Sequence, residues 1–328
     1  MTDLASETDL DRDPAGWAAE LLARHGLEAG DLEPMAGWSN AIWASETHVV
    51  RIASGRFAGS LSHEAAVLRA LTEVPCPRVT ATGQVGEREW MIQTRLSGTN
   101  LMRLWPGLDL AERERAVRSL AQAMRAVHAT PLAPDLREPP WRAAALRPGG
   151  DPSVALRVHP IHVRRLVAAN RERGTAPEPL LTAAATFIED RLACFADDAD
   201  ALTHGDLAFA NVIWDGTRAG LVDFESGGAA PIDRELDVLL RFLGAPEAFS
   251  PDAAPGSAAA YAPVLGWLRD AYPELFAHPA LADRLAVYGA LWELTQLMNY
   301  PSDHPRDTAG RLAAILAGRA PWTAALGI

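Results

Sequence analysis

The pattern of apolar and polar residues divides the chain into a front part rich in short runs and a back part rich in helical repeats. The front part contains β-like runs bounded by turn residues, which is the pattern of strands. These runs are residues 42–44, 48–52, 78–82 and 89–94, and the helical segments among them are residues 14–23 and 62–71. The pattern predicts a small, mostly antiparallel sheet that carries one main helix.

Helical periodicity dominates the rest of the chain, with one interruption. The predicted helical segments are residues 109–128, 156–173, 179–196 and the stretch from 231 onward, which breaks at 246–255 and 300–305. Proline-rich residues 131–150 are expected to form a loop. Residues 203–226 contain two β-like runs around Asp215-Gly216, a dipeptide typical of a tight hairpin turn. We expect an α+β fold with a β-rich lobe over residues 1–95 and a helical lobe over residues 96–328 that contains this hairpin.

Composition narrows the class of protein further. The chain has 328 residues, 48% of them apolar, and its 30 basic and 42 acidic residues give a formal net charge of −12. That negative balance disfavours a nucleic-acid binder. No apolar run approaches the ~20 residues that cross a bilayer, and the first residues lack the order of a signal peptide. Cys76 and Cys194 are too few for a disulfide framework. We expect a cytoplasmic protein that binds neither membranes nor nucleic acids.

Three oxygen-bearing side chains are expected to converge at one end of the predicted hairpin. Asp206 and Asn211 lie five residues apart where the chain enters it, and Asp223 ends the returning strand. A two-residue turn would fold Asp223 back beside Asn211. Hard oxygen ligands suit Mg²⁺, which keeps some water and recruits substrate phosphates. Each residue alone is more often an ordinary turn residue, but the joint spacing indicates a metal and phosphate site.

This order of residues resembles a known enzyme family. His-Gly-Asp at 204–206, Asn211 and Asp-Phe-Glu at 223–225 are similar to the signature of the aminoglycoside phosphotransferase/choline kinase family, small-molecule relatives of protein kinases. The resemblance implies a bilobal protein-kinase-like fold, with a small antiparallel nucleotide-binding lobe and a large, mostly helical lobe that carries the catalytic hairpin and the acceptor site. It also implies transfer of a γ-phosphoryl group from ATP or GTP to a hydroxyl of a small molecule, with Mg²⁺ as cofactor.

The resemblance implies a role for each matching residue. Asp206 would be the catalytic residue that orients the acceptor hydroxyl, while Asn211 and Asp223 would hold Mg²⁺. The other implied contacts are Arg51 with the α- and β-phosphates, Glu64 as the ion-pair partner of Arg51, Ser39 and Asn40 with phosphate, the backbone of Thr94 and Leu96 with the base, and Glu225 and Asp233 with the acceptor. Arg51 stands where many kinases have lysine, and its planar fork binds phosphate differently. Choline-kinase-like relatives accept arginine there.

The resemblance leaves the acceptor open. An antibiotic or related natural product is the first hypothesis. It rests on the full set of transfer residues, together with a composition in which all thirty basic residues are arginines, as is typical of GC-rich, antibiotic-producing bacteria. The acidic C-terminal part could also hold the cationic groups of such an acceptor. A kinase of a primary metabolite, such as choline, homoserine or a sugar, is the second hypothesis. A nucleotide-binding pseudokinase is the third, and the intact Asp206, Asn211 and Asp223 argue against it.

Overall fold

The computed structural model describes residues 13–35, 40–53, 60–154, 158–196, 199–244, 246, 257–300, 307–320, 322 and 326. These residues form two compact units. The first unit comprises the described residues up to Trp141 together with His204–Asp206 and Ala210–Ala229, and the second comprises Arg142–Thr203, Leu207–Phe209 and the described residues from Ala230 onward. The division into lobes at residues 95 and 96 stays a prediction.

The described residues form strands and helices in the order expected of an α+β chain. The strands are β1 (Glu33–Met35), β2 (Asn40–Ala44), β3 (His48–Ala53), β4 (Val79–Val85), β5 (Arg88–Thr94), β6 (Thr99–Asn100), β7 (Ala201–Thr203), β8 (Val212–Trp214), β9 (Ala219–Leu221) and β10 (Gly228–Ala230). The helices are α1 (Pro14–Arg24), α2 (Ser60–Ala70), α3 (Leu101–Leu104), α4 (Leu110–His128), α5 (Pro140–Leu146), α6 (Pro160–Arg173), α7 (Glu178–Glu189), α8 (Arg234–Gly244), α9 (Val264–Ala271), α10 (Leu281–Asn299) and α11 (Thr308–Leu316). None of these helices is long and apolar enough to cross a membrane.

A five-stranded antiparallel sheet is the main β structure of the first unit. Its strand order is β1-β2-β3-β5-β4. Side chains alternate between the two faces of a strand, so neighbours along β3 point to opposite sides. Val50 and Ile52 pack in the same apolar cluster as Trp17 and Leu21 of helix α1. Arg51, between them, therefore faces away from α1, where it meets Glu64 of helix α2.

The predicted hairpin forms, and helix α4 supports it. The β8–β9 register pairs Ile213 with Gly220, and the N–H of Ala219 donates to Ser119 Oγ of α4 at 2.9 Å. Asp215 is the first residue of the turn, since its Oδ1 accepts the N–H of Thr217 at 2.7 Å. The central turn residues are thus Gly216 and Thr217, one position later than the sequence predicted. Gly216 takes a positive φ of 96°, which favours glycine there.

Residues 131–150 depart from the predicted loop. They contain helix α5 and a short 3₁₀ helix, Pro134–Leu136. Two prolines of this segment, Pro134 and Pro140, are the first residues of these two helices. A proline there loses no intrahelical hydrogen bond and has a helical φ, so it begins a helix and does not break one.

The helical second unit contains buried ion pairs. Asp237 of α8 is 2% exposed and pairs with Arg241 at 2.9 Å and with Arg234. Burial alone would raise the pKa of Asp237, but Arg241 and Arg234 outweigh it and lower the pKa below its usual value. A depressed pKa means that ionised Asp237 stabilises the fold at neutral pH, and this contribution disappears as the pH falls through the lowered pKa.

We expect Asp237→Asn to lower the free energy of unfolding by about 3 kcal/mol, because it leaves two buried guanidinium groups without their carboxylate. Urea unfolding at pH 7, followed by tryptophan fluorescence, measures the change. The matched control is Glu114→Gln, which removes an exposed pair with Arg118 and should cost about 0.5 kcal/mol or less. Equal effects of the two substitutions would contradict the importance of the buried pair.

Candidate active site

The loop that begins at His204 owes its shape to a glycine. Gly205 has a φ of 79°, in the left-handed region that disfavours side chains. A Cβ at this position would lie 2.3 Å from the carbonyl oxygen of Ser226. The His-Gly-Asp motif therefore needs glycine for two reasons: the backbone conformation, and the close approach of residues 222–227, which we call the Asp223 loop.

His204 is a structural residue of this loop. It is 1% exposed, and its Nε2 donates to the carbonyl of Val222 at 2.9 Å. Its Nδ1 accepts a hydrogen bond from the N–H of Asp206 at 3.4 Å. The centres of the His204 and Phe224 rings are 4.4 Å apart. His204 thus links the backbone of Asp206 to the residue before Asp223.

A backbone hydrogen bond brings the Asn211 backbone next to the residue before Asp223 at the open end of the hairpin. The N–H of Val222 donates to the carbonyl of Asn211 at 3.1 Å, so Asp223 follows directly beside Asn211. The Asn211 side-chain Nδ2 donates to the carbonyl of Asp206 at 2.8 Å. This bond leaves Oδ1 as the amide atom that can bind a cation. Asp206 is exposed, as an acceptor-facing residue needs to be.

Asp223 has a strained backbone and a partly exposed carboxylate. Its φ is 68°, a conformation that costs a non-glycine residue about 1 kcal/mol or more. Its Oδ1 accepts a hydrogen bond from Arg51 at 2.8 Å, and its side chain is 38% exposed. A carboxylate and an amide oxygen are donor types that suit Mg²⁺, which takes few protein ligands and keeps sites for water and phosphate.

Arg51 joins the strand, the helix and the Asp223 loop. Its NH1 donates to Glu64 Oε1 at 2.6 Å and its NH2 to Asp223 Oδ1 at 2.8 Å. Glu225 Oε2 lies 3.6 Å from the same NH2. The ion pair between Arg51 and Glu64 that the sequence predicted is present, and the N–H of Phe224 also donates to Glu64 Oε1 at 3.1 Å.

Burial and charge act against each other in this cluster. Burial alone would lower the pKa of Arg51, but Glu64, Asp223 and Glu225 outweigh it and raise the pKa above its usual value. Arg51 is therefore a fixed positive charge. Burial raises the pKa of Glu64, which Arg51 opposes, and the negative charges of Asp223 and Glu225 raise it further. Arg51 is thus one positive charge among three neighbouring carboxylates, those of Glu64, Asp223 and Glu225.

The remaining predicted residues fall into three groups. Asn40 Nδ2 donates to Glu225 Oε2 at 3.3 Å, so both belong to the same cluster as Arg51. The N–H of Thr94 donates to the carbonyl of Arg78 at 2.9 Å, so a contact with a base would use the Thr94 carbonyl. Asp233 lies in the second unit in a buried pair with Arg284, at 2.9 Å.

Two predicted residues need separate mention. Leu96 packs close to Gly220, where a Cβ would lie 2.7 Å from Leu96 Cδ1. Ser39 lies outside the described residues. The roles of all these residues toward nucleotide, metal and acceptor stay predictions.

One contact of this loop has no counterpart in the sequence interpretation. His63, the residue before Glu64, has its Nε2 2.7 Å from the carbonyl oxygen of Gly227. Its position next to Glu64 was visible in the sequence. The helical pattern alone could not show that it reaches a carbonyl 164 residues away.

Comparison with known proteins identifies the family and the fold of the chain. A model described as the phosphotransferase enzyme family matches residues 31–275. The search of curated proteins gives no match. Among solved structures, aminoglycoside phosphotransferase APH(3'')-Id from Streptomyces rimosus, in complex with ADP and streptomycin, is 20% identical, with 88% of this chain and 99% of that chain covered and a TM-score of 0.56.

Two further structures have the same fold. A thermostable mutant of APH(4)-Ia, in a ternary complex with ADP and hygromycin B, is 18% identical over 92% of this chain and 98% of that chain, with a TM-score of 0.60. The amicoumacin kinase hAmiN, in complex with AMP-PNP, Ca²⁺ and Ami, is 10% identical over 94% of each chain, with a TM-score of 0.57. The protein therefore has the protein-kinase-like fold of aminoglycoside phosphotransferases. The chain belongs to the phosphotransferase enzyme family and is a small-molecule phosphotransferase.

We expect Gly205→Ala to destabilise the protein by about 2 kcal/mol or more, since a Cβ adds a collision with the Ser226 carbonyl to the strain of a positive φ. The matched control is Gly216→Ala, which also has a positive φ but no atom within 4 Å of the added Cβ. It should cost about 1 kcal/mol from backbone strain alone. Thermal unfolding of the two variants measures the difference, and equal losses would show that the collision is relieved elsewhere.

Proposed function

We propose that this protein transfers the γ-phosphoryl group of ATP or GTP to a hydroxyl group of an antibiotic or a related natural product. The observation that carries the proposal is the cluster of Arg51 with Glu64 and Asp223. It lies in the same compact unit as the hairpin that holds Asn211. A fixed cation beside a strained, half-exposed aspartate is suited to bind a nucleotide together with a divalent metal.

In this proposal each residue has one task before the reaction. Arg51 contacts the α- and β-phosphates through guanidinium N–H groups that its bonds to Glu64 and Asp223 leave available, and Glu64 keeps the guanidinium in place. Asn211 Oδ1 and the Asp223 carboxylate hold Mg²⁺, which when bound neutralises charge on the phosphates. Asn40, and Ser39 outside the described residues, contact phosphate, and the backbone of Thr94 and Leu96 contacts the base.

The transfer itself needs little covalent chemistry from the protein. The acceptor oxygen forms a bond to the γ-phosphorus while the bond from that phosphorus to the β,γ-bridging oxygen breaks, and the nucleoside diphosphate leaves. Asp206 orients the acceptor hydroxyl and accepts its proton. Most of the rate enhancement comes from positioning and from neutralising charge.

The acceptor class is inferred from the related structures and from charge. Relatives with the same fold are bound to streptomycin and to hygromycin B, and another is an amicoumacin kinase. The formal charge of −12 suits an acceptor with cationic groups. Glu225 and Asp233 were candidates for the acceptor site. Glu225 is the better candidate of the two, because it is half-buried near Asn40, whereas Asp233 is buried against Arg284.

A panel of acceptors tests the proposal directly. The purified protein is incubated with Mg²⁺ and ATP or GTP, and with aminoglycosides, peptide antibiotics, choline, homoserine and sugars. Mass spectrometry should detect an antibiotic that has gained one HPO₃ unit, with release of an equal amount of nucleoside diphosphate. Phosphorylation of a primary metabolite alone would contradict the antibiotic assignment, and nucleotide binding without any transfer would favour a pseudokinase.

We expect Asp206→Asn to lower kcat about 10³-fold, because the variant cannot accept the hydroxyl proton. Its dissociation constant for ADP should stay within about twofold of the original, since Asp206 is not proposed to bind nucleotide. Steady-state kinetics and calorimetry measure the two quantities. The control is Asp135→Asn, an exposed aspartate outside the motif, which should leave both unchanged. Undiminished turnover of the Asp206 variant would exclude this role.

A further inference from the structure

Helix α2 holds the Asp223 loop through two neighbouring side chains. Glu64 Oε1 accepts the N–H of Phe224 at 3.1 Å, directly after Asp223. His63 Nε2 lies 2.7 Å from the carbonyl oxygen of Gly227. A carbonyl accepts and cannot donate, so this nitrogen of His63 carries a proton. One turn of the helix therefore binds the loop near its beginning and at its end.

A second histidine binds the other side of Asp223. His204 Nε2 donates to the carbonyl of Val222 at 2.9 Å. Asp223 thus lies between two carbonyls, of Val222 and Gly227, that each accept a hydrogen bond from a buried imidazole. Within this segment Asp223 itself has a φ of 68°. Such a backbone persists only where the surrounding contacts hold it.

We propose that His63 is a positioning residue for Asp223, which it keeps in its strained conformation by anchoring the carbonyl of Gly227. This inference rests on the proposed function, since it takes Asp223 as a ligand of Mg²⁺. Gly227 has no side chain, and its N–H donates to the carbonyl of Phe224 at 2.9 Å within the loop. The Gly227 carbonyl is thus the atom of this residue through which the helix holds the end of the loop.

Loss of the imidazole has a defined structural effect. Without His63, the buried carbonyl of Gly227 loses a donor, and buried carbonyls without donors are disfavoured. The loop relieves this by turning the carbonyl toward water, and that rotation changes the backbone between Asp223 and Gly227. A glutamine keeps an N–H donor at a similar distance from Cα, whereas a leucine fills the space without a donor.

Three variants separate this role from general support of the helix. They are His63→Leu, His63→Gln and the control Glu89→Gln. Glu89 of strand β5 accepts the N–H of Leu61 at 3.2 Å and a hydrogen bond from Ser62 Oγ. It therefore supports the first turn of the same helix from the sheet side.

The first measurement is the dissociation constant of ADP by calorimetry, with Mg²⁺ and with EDTA. We expect His63→Leu to weaken ADP binding about tenfold with Mg²⁺ and to leave it unchanged in EDTA, since supports of metal ligands act through the metal. His63→Gln should stay within about twofold of the original protein, and Glu89→Gln should keep the original ratio of the two constants. The proposal would be overturned if the ratio of the ADP dissociation constants with Mg²⁺ and with EDTA in His63→Leu equalled that of the original protein. It would also be overturned if His63→Leu and Glu89→Gln changed this ratio equally.

The second measurement does not depend on the metal. Hydrogen exchange of peptides that span residues 222–227 should be faster in His63→Leu than in the original protein, and unchanged in Glu89→Gln. Unchanged protection in His63→Leu would overturn the role of His63. If Mg²⁺ does not affect ADP binding to the original protein and Asp223→Asn has no effect, the proposed magnesium site fails. Hydrogen exchange then decides separately whether His63 holds the loop.

Discussion

The paired contacts of the Arg51 guanidinium connect strand β3, helix α2 and the Asp223 loop. A planar group with donors in a fixed fork can hold one carboxylate on each side, which a lysine ammonium cannot do with the same geometry. Arg51 uses this fork to bind Glu64 of helix α2 and Asp223 of the hairpin loop. The strand, the helix and the Asp223 loop are thereby held to one group, and displacement of any of them exposes a buried charge.

The Asp223 loop is held mainly by hydrogen bonds that surrounding side chains make with its backbone. His204, Glu64 and His63 each bond to a main-chain group of residues 222–227. This leaves the Asp223 carboxylate with an exposed part that can bind other groups. A rigid backbone with an accessible side chain is the arrangement that preorganised catalysis requires.

The sequence predicted those parts of the fold that local periodicity determines. Strand β3, helix α4 and the hairpin were found because their apolar spacing or turn residues are specific. Helix α5 was missed because proline favours both a loop and the first turn of a helix. The turn was placed one residue early because Asp215-Gly216 fits more than one register.

Contacts within the site could be predicted where a family motif includes both residues. They could not be predicted where the two residues lie far apart in the sequence and share no motif. The family resemblance predicted the pairing of Arg51 with Glu64, which the structure contains. It could not predict the bond of Asn40 to Glu225 or the contact of His63 with Gly227, because residues 185 and 164 positions apart leave no joint pattern in one sequence.

The first compact unit is assembled from three separate stretches of the chain, the last of which ends at Ala229. Arg51 and Asp223 are 172 positions apart, so during synthesis the cation emerges from the ribosome long before one of its two closest partners. Of these two partners, only Glu64 has been synthesised by then. The full set of Arg51 contacts can therefore form only after most of the chain has been translated, and a product that terminates before the hairpin lacks the contact with Asp223.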